Sequence, residues 1–65
     1  MECAAVFYNR YAKRVSGITT TGERNEILAD MQEDFSRQVR NEPENRNQLS
    51  EVYQRLKREC WEVLA

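Results

Sequence analysis

The residues that most resist helix formation are few in this chain of 65. They are Gly17, Gly22 and Pro43. Glycine costs backbone entropy in a helix, and proline removes a donor and clashes with the preceding turn. Gly17 and Gly22 bracket a Thr-rich break, SGITTTG, and Pro43 sits in a second break, NEPENRN. Everything outside these breaks carries helical spacing of its apolar residues. The pattern predicts three helices in one domain spanning residues 1–65, with no repeat, low-complexity tract or linker.

Helix 1 is expected from about Glu2 to Val15. Ala4, Tyr8, Tyr11 and Val15 recur at i, i+4, i+7 and i+11, and Ala5, Phe7 and Ala12 widen that face. At about 100° per residue, Arg10, Lys13 and Arg14 fall on the far side, giving the helix a basic outer surface. Helix 2 is expected to start near Thr20 or Thr21, because Thr20-Thr21-Gly22-Glu23 fits a capping box. Its stripe is Leu28, Met31, Phe35 and Val39, and it should stop around Asn41, since the residue before Pro43 is pushed out of helical geometry. Helix 3 starts between Pro43 and Gln48, with Pro43 in a first turn or Asn45 as the cap. Its stripe runs through Leu49, Val52, Tyr53, Leu56, Cys60, Val63 and Leu64. The fold class expected is all-α: an antiparallel hairpin of helices 2 and 3, with the shorter N-terminal helix packed across it.

A chain this short buries only roughly 60% of its unfolded surface, and small single cores are usually stapled or oligomeric. There is no His, and the only cysteines, Cys3 and Cys60, lie far apart in sequence. No zinc spacing exists, and an up-down-up bundle would put the two thiols at opposite ends. Self-association is the remaining source of stability, so a homodimer is expected to complete the core. The apolar tip RECWEVLA points the same way. On a helical wheel Trp61 lies roughly 110° from the centre of the helix 3 stripe. An indole there either folds down at the rim of its own core or faces a partner. Trp61, Leu64, Val63, Leu56 and Tyr53 are the expected interface.

Chemistry has little to work with. Without His there is no ready base near neutral pH. Cys60 reads as a small core hydrophobe and Cys3 as a structural residue. Glu26, Asp30, Glu33 and Asp34 are spread along a helix with arginines nearby, so they read as a solvated face rather than a cation site. No phosphate-binding glycine pattern occurs. No metal, cofactor or enzymatic activity is expected. The net charge of −1 argues against a general polyanion binder. The basic face of Arg10, Lys13 and Arg14 remains a candidate anion-binding patch, and a DNA-associated regulator is the alternative function. Helices 2 and 3 look too long for a helix–turn–helix motif. The longest apolar run, Cys3 to Tyr8, is too short to span a bilayer, where about 20 residues are needed. A cytoplasmic protein with reduced thiols is expected.

The stretch YAKRVSGITTTGERNEILADM resembles small helical proteins encoded in the early regions of temperate, lambda-like phages. The likeness rests on Tyr11-Ala12-Lys13-Arg14-Val15, the Thr-rich turn, and Glu23-Arg24 followed by Ile27-Leu28. It implies a short-lived accessory product acting on host proteins rather than an enzyme, and assigns a role to no individual residue. Together these readings favour a small regulatory or adaptor module that binds protein.

Overall fold

The computed structural model describes residues 4–65, so Cys3 and the expected start of helix 1 at Glu2 lie outside the described residues. Three α-helices follow in order: α1 (Ala4–Ser16), α2 (Thr21–Asn41) and α3 (Arg46–Val63). A single 3-10 turn, Pro43–Asn45, leads into α3. The fold is an all-helical bundle, as the breaks in the sequence predict.

Side-chain contacts fix the directions. Phe35 stacks on Tyr53 at 4.7 Å, and Arg24 lies over Trp61 at 3.9 Å. Moving back along α2 thus means moving forward along α3, so the two run antiparallel. Phe7 meets Tyr53 edge-on, whereas Ala12, Val15 and Ser16 lie beside Glu59 to Val63. Helix α1 therefore runs parallel to α3 and antiparallel to α2. It packs against both helices of the hairpin, most closely against α3. The molecule measures 34 × 16 × 15 Å. At about 1.5 Å per residue, the 21 residues of α2 reach nearly end to end.

The core closes within one chain. Phe7, Met31, Leu56 and Cys60 have no exposed surface, and Val15, Leu49, Tyr11 and Ile27 are buried around them. Ile18, in the loop after α1, folds inward and joins the same cluster. Two sequence expectations need correction here. Leu56 and Tyr53, expected at an interface, are at 0% and 9% exposure and belong to the chain's own core. The buried face of α2 is centred on Ile27, Met31 and Asp34, while Leu28, Phe35 and Val39 are partly buried at its edge. The fully buried positions follow a helical spacing in which one member is polar, so counting apolar residues alone rotates the stripe toward Leu28.

The ends of α2 follow the local chemistry. Thr20 has extended backbone angles (φ −133°, ψ 158°), and its hydroxyl accepts from the Glu23 N–H at 3.2 Å. In return one Glu23 carboxylate oxygen accepts from the backbone N–H of Thr20 and from both the N–H and hydroxyl of Thr19. The bonds from the Thr19 hydroxyl and N–H hold the Glu23 carboxyl below its usual range. Gly22 lies inside the first turn of α2, as the capping box requires. A Cβ added there would meet only the Thr20 hydroxyl oxygen, at 3.9 Å. At the far end Glu42 closes α2 through its N–H to the Gln38 carbonyl, and Pro43 opens the 3-10 turn. Asn45 makes no side-chain capping bond to α3; its amide instead donates to Glu42 at 2.9 Å.

Two substitutions in this first turn should act in opposite directions. Thr20→Ala should lower stability by about 0.5–2 kcal/mol through the lost cap. Gly22→Ala should raise it by about 0.4–1 kcal/mol, because the backbone is already helical and the added methyl is unobstructed. Urea denaturation of both variants checks the pair; an unchanged midpoint for Thr20→Ala would show that the cap is idle.

Candidate interaction surface

Asp34 is the one buried charged side chain among the described residues, at 4% exposure. Both of its oxygens are in use. Oδ2 accepts from the Tyr11 hydroxyl and from Arg10 Nη1, each at 2.6 Å. Oδ1 accepts from Arg37 Nη2 at 3.0 Å and Gln38 Nε2 at 3.3 Å. Burial alone would push the Asp34 carboxyl up. The bonds from Tyr11, Arg10 and Gln38 together outweigh it and hold the group below the usual carboxylate range. The same contact acts oppositely on the phenol. Burial first, then the bond to the Asp34 carboxylate and its negative charge, push Tyr11 up to about 12.

This cluster revises two sequence readings. Asp34 does not belong to a solvated acidic face, because α1 packs over it. Arg10 and Arg14 do not stand on the far side of α1. Their long arms reach sideways to α2, Arg10 to Asp34 and Arg14 to Asp30 at 2.9 Å. Of the three candidate anion-binding residues, Arg10 and Arg14 thus face carboxylates of their own chain, while Lys13 is exposed. No group of three His, Cys, Asp or Glu among the described residues could hold a metal ion. Cys60 is fully buried, and burial raises its thiol, which is unfavourable for a nucleophile. No helix among the described residues is long and apolar enough to cross a membrane.

The surface of interest is the end where α3 finishes. Trp61 is 55% exposed and Val63 40%, while Leu64 packs partly against the core. The two exposed side chains point to different flanks of α3. Val63 borders a shallow groove of about 380 Å³ between the last turns of α1 and α3, with Ala12, Val15, Ser16, Glu59 and Glu62 as its other walls. Trp61 faces α2, where the Arg24 guanidinium lies over its ring. That contact covers part of the indole. The covering group is a cation from the opposite end of the sequence hairpin, and no apolar-periodicity count could have picked it. Lys57, one helical turn before Trp61, sits 4.8 Å over the Tyr53 ring.

No protein-family model, curated protein or solved structure matches this chain.

The raised phenol has a measurable consequence. A folded state that holds a proton more tightly than the unfolded chain keeps that stability below the ordinary tyrosine value of 10.0 and loses it as pH climbs toward about 12. Wild-type protein should therefore become steadily less resistant to denaturant between these two values. Tyr11→Phe should be less stable at neutral pH but show a shallower alkaline loss. Part of the slope should survive in it, because burial also raises Tyr53. An identical alkaline slope in both proteins would contradict the Tyr11 assignment.

Proposed function

We propose that this chain is a small non-enzymatic protein-interaction module, regulatory or adaptor in role, that works through the C-terminal tip of α3. The observation that carries this reading is the exposure of Trp61 and Val63 within one turn of a helix whose other apolar residues are buried or partly buried. Aromatic side chains dominate the binding energy of interfaces, and a core that is already closed has no internal need for an indole at its edge. The likeness of the Tyr11–Met31 stretch to early products of temperate phages supports the same role, an accessory product acting on host proteins.

Self-association is the simplest form of such binding. A second copy would set Val63 and the groove beside it against their own counterparts through one two-fold patch. This dimer would not be needed to complete the core, which closes within one chain. It would serve to cover the exposed flank of α3. The DNA-associated reading is weakened by the pairing of Arg10 and Arg14 with Asp34 and Asp30, which neutralises most of the basic face where phosphates would have to bind.

Sedimentation equilibrium at high micromolar concentration should show a dimer. Val63→Asp, which places a charge in the patch, should weaken association by about tenfold or more, equivalent to about 1.4 kcal/mol. A wild-type monomer at that concentration would remove the homodimer and leave only a foreign partner for the tip.

A further inference from the structure

The flank of α3 that faces α2 carries an electrostatic imbalance. Arg10, Arg14, Arg37 and Arg55 each pair with a carboxylate of the same chain. Arg24 does not. Its guanidinium lies flat against Trp61 at 3.9 Å, its Nε is buried without a hydrogen-bond partner, and its one side-chain bond is a long 3.4 Å contact from Nη2 to Asn25. Lys57, on the same face of α3 one turn earlier, has a ring contact with Tyr53 but no carboxylate. The nearest acid in sequence, Glu23, is committed to Thr19 and Thr20 at the helix cap. An exposed indole is thus flanked by two cations that the chain itself leaves uncompensated.

Stacking on an aromatic face orients a guanidinium while leaving its planar fork of donors open to a carboxylate. Such a group is prepaid in conformational entropy, since the indole already holds it flat. We propose that the Arg24–Trp61–Lys57 edge docks an acidic amphipathic helix of a partner protein. One partner carboxylate would sit on the Nη edge of Arg24, a second one turn away would meet Lys57, and an apolar residue between them would cover Trp61. The charge of the edge selects the class of partner, and the spacing of Lys57 and Trp61 by four residues matches one turn of a helix lying alongside. The assignment rests on the tip of α3 being an interaction surface, but not on the homodimer, which would use the opposite flank of α3.

The chain has a single tryptophan, so its emission reports this edge directly. Two short synthetic helical peptides serve as probes. They share one leucine stripe and differ only in carrying Glu or Lys at the flanking positions. The Glu peptide should shift Trp61 emission saturably and bind about tenfold more tightly than the Lys peptide at low salt, with the gap closing as salt is raised. Lys57→Glu should reverse the preference. Arg24→Lys keeps the charge but loses the fork, and should weaken the Glu peptide by about threefold or more. Circular dichroism confirms that each variant is folded. Equal binding of both peptides, or a preference for Lys, would overturn the acidic partner while leaving the interaction reading intact. No response to either peptide would overturn the docking site, and sedimentation then judges the interaction reading separately. A concentration-dependent emission shift without peptide would assign this edge to a second copy instead.

Discussion

A carboxylate cannot be taken out of water without replacement partners, and the arrangement of this bundle follows from how Asp34 obtains them. It has room for about four hydrogen bonds and receives four. Arg37 and Gln38 stand three and four residues further along the same helix, so α2 supplies half of the shell by itself. Tyr11 and Arg10 must come from α1. Only one alignment of α1 brings both donors to the same oxygen, and the Arg14–Asp30 pair repeats that alignment one turn further along. Sliding α1 by a turn would leave Asp34 charged, buried and half satisfied. The polar cluster therefore acts on register, which greasy contacts between α1 and its neighbours would specify less sharply.

The apolar core builds outward from that alignment. With Tyr11 bonded to Asp34, its ring lies 5.1 Å from Phe7, and Phe7 in turn meets Tyr53 of α3 edge-on. Tyr53 stacks on Phe35, which closes a ring of contacts through all three helices. Ala4 and Ala12 of α1 pack against the edge of this core. Below this aromatic layer, Val15, Ile18 and Ile27 seal the end where α1 turns into α2. The last turn of α3 is tied to the first turns of α2 by Arg24 over Trp61. The same end of the molecule is thus fixed inside by buried packing and on its flank by a cation on an exposed ring.

Much of this was legible in the sequence. The capping box at Thr20, the end of α2 before Pro43, the three helices and the burial of Cys60 all rest on local rules that need no tertiary partner. What was not legible depends on the neighbouring helix. Asp34 reads as solvated because Glu26, Asp30, Glu33 and Asp34 are spread along a helix with arginines nearby, and nothing local says that α1 will cover it. Arg10 and Arg14 looked outward for the mirror-image reason. Ile18 sits in a loop, outside any periodic stripe. Tyr53 and Leu56 were read into an interface because a continuous stripe does not say which part of it the chain's own helices will use. The position of Trp61 off the α3 stripe, in contrast, follows from the helical wheel, while its exposure and its contact with Arg24 required the fold.

The interaction surface and the docking edge depend on α3 seated against α1 and α2, and the Asp34 shell sets how those two helices align. The ionisation of this one carboxyl is therefore the most direct test. Carbon-detected NMR of the Asp34 carboxyl through an acid titration would measure it. The hydrogen bonds from Tyr11, Arg10 and Gln38 require a value below the unperturbed aspartate range, about 3.9. Stability should then be kept above that ordinary value and lost only as pH falls through the lowered one. A midpoint at or above about 3.9 would mean that burial outweighs the donors, and would contradict the claim that the shell from α1 and α2 stabilises the Asp34 carboxylate on balance.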